Sequence, residues 1–241
     1  MASLVVSLGI PAIALLLAAG FVFAVWCVEA GVSRARNTAL AGVGVALWLG
    51  AMAALAMSGL LARFDLRPPP MMAWFVSIFV LAFVVARSEL GKRLALGLPL
   101  WVLVGFQAFR LPLELVMHQA AEEGIMPSVM SYSGYNFDIL SGISALLLFP
   151  FVRNGRAPLW LVKAWNVLGL TLLAIIASVA GAASPVFRAF GEQQVNSWVT
   201  QFPYVWMGVM VAMALFGHLL IVRRLVNATG RSGAAEAAAL R

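Results

Sequence analysis

Residues 106–139, FQAFRLPLELVMHQAAEEGIMPSVMSYSGYNFDI, combine more ionisable side chains with long apolar runs than any other stretch of the sequence. The first half belongs to an apolar run and carries Gln107, Arg110, Glu114 and His118 at spacings of three, four and four. These spacings place the four side chains on one face of an α-helix. A charged side chain at mid-membrane costs roughly 2.5–3.5 kcal/mol, so such residues usually line pathways or sites. The segment therefore predicts both a membrane-spanning helix and a polar site along one of its faces.

The composition of the whole chain excludes an ordinary soluble domain. Of its 241 residues, 63% are hydrophobic and 10% are charged, whereas a soluble domain carries about 25% charged residues. The net charge of +7 comes mostly from short loops, where basic residues set membrane orientation, so we expect no nucleic-acid partner. The single cysteine, Cys27, excludes an internal disulfide and a multi-cysteine metal site. The class expected is an all-α polytopic membrane protein.

Working outward from residues 106–139, the apolar runs predict a bundle of seven transmembrane helices. The predicted spans are residues 4–27, 38–61, 71–85, 96–117, 137–151, 159–182 and 199–222. They form one domain, residues 1–226, and we expect the tail, residues 227–241, to be mobile and cytoplasmic. Alternate loops and the tail hold twelve Lys and Arg residues on one side and three on the other, and Arg110 within a span completes the 16. The positive-inside rule then predicts an N-terminus outside and a C-terminus inside.

Two polar residues, Asn136 and Asp138, open the fifth predicted span at the same outer level as Glu114. Asn136 suits a helix N-cap and Asp138 suits the first turn, where the helix dipole favours a carboxylate. A helix start capped in this way can also present Asp138 to a pocket. Arg110 and Glu114, four residues apart, can equally pair with each other and have no further role. The residues thus predict an outward-facing polar pocket or an internal ion pair.

The seventh predicted span carries a further stripe of polar residues. Gln201 and Tyr204 lie at its outer end, three residues apart, and are expected level with Arg110. His218 lies near the inner end, where Asn166 of the sixth span is its expected partner. One histidine beside two carboxylates and an arginine makes a poor zinc site, because the arginine opposes a cation. We therefore expect no metal and no cofactor.

Five of the eight tryptophans lie near the ends of predicted spans. They are Trp26, Trp74, Trp101, Trp198 and Trp206. Tryptophans at this depth commonly form belts at the two membrane interfaces. An aromatic belt is the simplest interpretation of all five.

Three runs of the sequence resemble those of a known family. They are FRLPLE at residues 109–114 followed by His118, GYNFDILSG at residues 134–142, and FPYVW at residues 202–206 followed by His218. Together they resemble a family of small bacterial multi-pass membrane proteins to which no biochemical function is assigned. The resemblance covers roughly the last three-fifths of the chain. It implies a bacterial inner membrane and carries no activity with it.

Three functions stay open at this point. The first is a pocket that binds or transports a small polar or anionic ligand or relays protons, with Arg110 as the anion partner and Glu114 as the titrating group. Its ligand-binding residues are Arg110, Glu114, His118, Asn136, Asp138, Tyr204, Gln107 and Gln201. The second is an intramembrane hydrolase or transferase acting on a lipid-borne substrate, with Glu114 or Asp138 as general base and His118 as its partner. The third is a structural subunit of a homo-oligomer or larger membrane complex. In each case the lipid bilayer is a partner.

Overall fold

The computed structural model describes the backbone of residues 2–239 and the side chains of residues 2–227. This part of the chain is 77% helical and contains no strand, which confirms the all-α class. The α-helices are α1 (Leu4–Val28), α2 (Ser33–Met57), α3 (Pro70–Arg87), α4 (Glu89–Gly97), α5 (Leu100–Phe106), α6 (Arg110–Glu122), α7 (Ile139–Arg153), α8 (Leu159–Ala182) and α9 (Met207–Ala239).

Within the described residues, six helical segments are long and apolar enough to cross a membrane. They are Leu4–Val28, Ser33–Met57, Pro70–Arg87, Leu100–Glu122, Leu159–Ala182 and Tyr204–Asn227. A further apolar helix, α7, has 15 residues and is about 22 Å long at about 1.5 Å per residue. That is shorter than the roughly 30 Å hydrocarbon core of a bilayer. By the length and composition of its helices, the chain is a multi-pass membrane protein.

The fourth predicted span, residues 96–117, is divided in the structure. The short helix α4 ends at Gly97, and Pro99 is the N-cap of α5. Between α5 and α6, residues Gln107–Phe109 form a single 3-10 turn. Pro112 gives a reason for this interruption, because its nitrogen carries no hydrogen for the carbonyl four residues earlier. The span is therefore a bent helical segment, and α4 is an additional helix that the sequence did not predict.

The last predicted span, residues 199–222, also begins differently. Residues Trp198–Thr200 and Tyr204–Trp206 form 3-10 turns, and α9 starts only at Met207. The backbone of α9 then continues to Ala239. The predicted mobile tail, residues 227–241, lies outside the described side chains except for Asn227.

Helix α9 is the centre of the bundle and packs against α1, α3, α4, α5 and α8. Gly208 permits its close approach to α3, because a Cβ at this position would lie 2.8 Å from the Ile78 side chain. At the other end of α3, Arg223 Nη1 donates to the carbonyl oxygens of Ala86 and Ser88, each at 2.7 Å. A cation suits the carbonyl end of a helix. Helix α9 therefore holds α3 along its length and supports α8 as well.

Candidate ligand-binding site

A buried ion pair joins the start of α6 to the start of α7. Arg110 is 1% exposed, and its Nη1 donates to Asp138 Oδ1 at 2.7 Å. Ser141, one turn into α7, donates its hydroxyl to the same oxygen at 3.0 Å. Arg110 thus pairs between two helices and not with Glu114 on its own helix. This contact was not among the pairings considered from the sequence, because a loop of more than a dozen residues separates the two side chains.

Asn136 connects the two carboxylates of the site. Its Nδ2 donates to Glu114 Oε2 at 2.7 Å and to the carbonyl oxygen of Met130 at 3.0 Å. Its Oδ1 accepts from the backbone N–H of Asp138 at 3.1 Å, which makes a local Asx turn. The predicted N-cap role of Asn136 is wrong, because Asp138 occupies the N-cap position of α7. Asn136 instead holds both acidic residues in place while it is itself completely buried.

A cavity of about 250 Å³ lies beside this network. One polar wall is formed by Arg110, Glu114, Asn136 and Asp138. The other walls are mostly apolar and include two more polar side chains, Ser184 and Asn196. The apolar walls come from α3, α8, α9 and the rest of α6. The structure therefore brings four of the eight predicted site residues together on one cavity.

The guanidinium group of Arg110 has one unused edge. Among the described residues, no protein atom accepts a hydrogen bond from Arg110 Nε or Nη2. These two N–H groups form the fork that can hold both oxygens of a carboxylate or phosphate. Arg63 uses the same fork on Asp65, with Nε at 2.8 Å and Nη2 at 2.7 Å from the two carboxylate oxygens. The Nε and Nη2 groups of Arg110 are thus unpaired on a residue of the cavity wall. In Arg63, the same two groups bind a carboxylate.

Two other predicted site residues on the helix before the loop lie away from the cavity. Gln107 is completely buried, and its Nε2 donates to the carbonyl oxygen of Ala214 at 3.1 Å. The Nδ1 of His118 lies 3.2 Å from Ser131 Oγ, and its ring stacks on Tyr132 at 4.3 Å between centroids. In the described part of the chain, no group of three His, Cys, Asp or Glu side chains is placed to hold a metal ion.

The polar residues predicted on the seventh span are also separated from the cavity. Gln201 is exposed, and the Tyr204 ring packs on Trp198 with 5.3 Å between centroids. Both precede α9, so the helical spacing that grouped them with this span does not apply. The expected pairing of the buried His218 is confirmed, since its Nδ1 lies 2.8 Å from Asn166 Oδ1.

Trp74 lines the cavity, although the sequence analysis placed it in an aromatic belt at the membrane interface. Its side chain is 8% exposed and has no hydrogen-bond partner for Nε1 within the described residues. The aromatic-belt prediction is wrong for it and for Trp198, which is 3% exposed. A signal was present, because Met71, Trp74 and Ile78 follow a spacing of three and four that marks the buried face of α3.

No protein-family model, curated protein or solved structure matches this chain. The geometry of the site is therefore the evidence on its function.

Proposed function

We propose that the chain is a seven-span protein of a bacterial inner membrane, with the N-terminus outside and the C-terminus inside. The seven spans are the six long segments and α7, whose short length is tolerated where a loop covers its end. The distribution of Lys and Arg between alternate loops supports this orientation. In this arrangement α3 begins, α6 ends and α7 begins near the outer face, so the cavity lies in the outer half of the membrane.

We propose further that the cavity binds or transports a ligand that carries an oxyanion. The observation that carries this proposal is the unpaired fork of Arg110, a residue that is 1% exposed and lines the cavity. Leaving a buried donor unpaired costs about 1–3 kcal/mol, and more for a charged group. A carboxylate or phosphate oxygen pair satisfies both N–H groups at once. An oxyanion therefore removes the main unfavourable feature of the site.

The charges around the cavity link anion binding to a proton. The network contains one guanidinium group and the two carboxyl groups of Asp138 and Glu114. A bound anion would face two carboxylates if both were ionised, and like charges that share one site repel each other strongly. Glu114 differs from Asp138, because within the described part of the chain its hydrogen-bond donor is the neutral amide of Asn136 and not a cation. We expect the anion to bind together with one proton, held at Glu114.

The test uses small oxyanions and two arginine variants. Purified protein is heated with increasing butyrate or methyl phosphate, and unfolding is followed by tryptophan fluorescence. A ligand that binds only the folded protein raises the melting temperature in a saturable way. Arg110→Lys keeps the charge opposite Asp138 but loses the fork, so the rise should disappear. Arg63→Lys makes the same change at an exposed pair and should leave the rise intact.

Two results would contradict the proposal. One is the absence of a saturable rise with either oxyanion, and the other is an equal rise in Arg110→Lys. Proton coupling is checked in proteoliposomes that contain a pH-sensitive dye. The anion added outside is methyl phosphate, because butyric acid crosses a bare bilayer and would acidify the interior by itself. Binding alone then leaves the internal pH constant, whereas transport together with a proton makes the interior more acidic.

The other two hypotheses receive less support from the geometry. In an intramembrane enzyme His118 would assist Glu114 or Asp138, but its Nδ1 bonds to Ser131 and its ring stacks on Tyr132. A purely structural subunit accounts for the Arg110–Asp138 pair. It gives no reason for an apolar cavity beside the unpaired edge of the same arginine.

A further inference from the structure

The cavity contains two chemically different regions. At one end are Arg110 and its neighbouring carboxyl groups, and the remaining wall is mostly hydrocarbon, with Ser184 and Asn196 as polar exceptions. A small hydrated anion would use the polar end and leave the apolar walls in contact with water, which is unfavourable. A ligand with a charged head and a hydrocarbon tail matches both regions.

The apolar part of the cavity wall includes exposed side chains on α3 and just after the end of α8. Both helices pack on α9, and both contribute to the cavity wall. These exposed cavity residues are Met72 at 37% and Val76 at 57% on α3, and Phe187 at 62% in the loop that follows α8. In a membrane-spanning bundle, an apolar surface of this kind faces lipid tails. The cavity edge is thus accessible from the side of the bilayer.

Small residues on α8 leave the space through which a chain can pass. Ala177, Ala180 and Gly181 all line the cavity, and their spacing of three and four places them on one face of α8. Opposite them, α3 presents Phe75 and Val76. The volume of about 250 Å³ is just below the roughly 300–1,000 Å³ typical of small-molecule pockets. One hydrocarbon chain fits such a space better than two.

We infer that the ligand is a single-chain anionic amphiphile from the membrane, with its carboxylate or phosphate head on the Arg110 fork and its chain leaving between α3 and α8. This inference rests on the proposed function, because it names the class of oxyanion that the same cavity takes. The ligand enters sideways from the lipid, and its head moves from the interface into the cavity. Its chain stays in contact with hydrocarbon throughout.

Trp74 provides a reporter inside the cavity. Bromine quenches indole fluorescence only at short range, so a stearate brominated in the middle of its chain reports on contact. The protein is placed in nanodiscs of uncharged phosphatidylcholine and titrated with this brominated acid or with its methyl ester. The ester enters the bilayer but lacks the anion, and it therefore measures quenching by the surrounding lipid. Trp74→Phe identifies the part of the signal that belongs to the cavity.

The expected result is saturable quenching by the acid beyond that of the ester, absent in Trp74→Phe and reduced in Arg110→Lys. Ala177→Phe fills the path of the chain without touching the polar end. It should weaken binding of the acid at least about tenfold, the loss expected when two buried methylene contacts disappear. Ala174→Phe is the matched control, because Ala174 is exposed on the same helix and does not line the cavity. Ala180→Phe provides a second test of the same path.

The outcomes separate the two proposals. Equal quenching by acid and ester, or unchanged affinity in both Ala177→Phe and Ala180→Phe, would overturn the inference about the chain. If butyrate still stabilised the protein through Arg110 in that case, the oxyanion site would stand and only the ligand class would be wrong. If neither butyrate nor methyl phosphate stabilised the protein, the proposed function would fail, and the inference that rests on it would fail with it.

Discussion

Replacing Asp138 should show how much the Arg110–Asp138 ion pair contributes to the free energy of unfolding. Asp138→Ala removes the protein acceptor of Arg110 Nη1, which is buried with the rest of that side chain. Breaking a buried pair from one side costs about 3–5 kcal/mol, because the remaining charge is uncompensated. The neighbouring cavity allows some solvation, so we expect a loss of about 3 kcal/mol, close to the roughly 2.5–3.5 kcal/mol for an arginine at mid-membrane. In equilibrium terms this is about two powers of ten.

Two further variants test the origin of this loss. Asp138→Asn keeps an oxygen for Arg110, and a hydrogen bond to a charged group contributes about 1.5–3 kcal/mol. Its loss of stability should therefore be about half that of Asp138→Ala. Arg110→Met combined with Asp138→Leu removes both charges and fills the space with apolar groups. Such replacements of buried pairs are often neutral or stabilising, so this double variant should recover most of the stability while it abolishes oxyanion binding.

The assay is unfolding in mixed micelles of increasing sodium dodecyl sulfate content, followed by tryptophan fluorescence. Asp65→Ala serves as the control, because the Arg63–Asp65 pair is exposed on both sides and its removal should leave the midpoint unchanged. The reasoning would be refuted if Asp138→Ala unfolded within about 0.5 kcal/mol of the wild type, the range of an ordinary surface change. It would also be refuted if the double variant were no more stable than Asp138→Ala.

Two predictions concern the elements around the site. Gly142→Ala places a Cβ against the backbone nitrogen of Leu111, so α7 must move from α6. We expect a loss of about 1–3 kcal/mol together with weaker butyrate binding, and Gly50→Ala, which meets open space, is the control; equal stability of the two variants would contradict this. Glu123 Oε2 accepts from the Ser3 backbone N–H at 2.8 Å, and hydrogen bonding from Ser3 and then from Gln119 lowers the pKa of Glu123 below its ordinary value. The bond from the Ser3 N–H is therefore complete above the ordinary pKa of a glutamate and is lost as the pH falls through the lower folded-state pKa, so hydrogen exchange in the first turn of α1 should accelerate on acidification in the wild type. Glu123→Gln, which cannot ionise, should lack this dependence, and a wild-type exchange profile as flat as that of the variant would contradict the assignment.

The sequence predicted the location of the polar network better than its pairings. The spacing of Arg110 and Glu114 correctly placed both on one helical face, because helical periodicity is a local property. Helical periodicity does not predict the path of the loop that follows α6. This loop brings Asn136 into contact with Glu114 and Asp138 into contact with Arg110. The intrahelical pair was a reasonable alternative from spacing alone. The tertiary fold replaced it with a pair between α6 and α7.

Three errors in the predicted site, at Gln201, Tyr204 and His118, share one cause. Gln201 and Tyr204 were placed on the last span as though it were helical from residue 199, but 3-10 turns precede α9. His118 has helical spacing from Glu114, yet its ring turns towards Ser131. In both cases a spacing was extended past the point where the local backbone or a neighbouring loop determines the direction of the side chain. Trp74 was misassigned because depth in the membrane was considered without the direction of the side chain.

The sequence was sufficient to establish the physical class of the protein and the positions of the charged residues within its apolar runs. Long apolar runs can be satisfied only in a bilayer or a very large core, and charges inside such runs are too costly to be accidental. Only the tertiary structure decided that Arg110 binds Asp138, that its fork is left unpaired, and that α3 and α8 form an apolar cavity beside it. The reason is that hydrophobicity and periodicity act along the chain, whereas a cavity is a relation between surfaces distant in sequence. Residues 106–139 therefore supply the polar end of the site. Helices α3, α8 and α9 supply the apolar cavity walls on which the proposed ligand class is based.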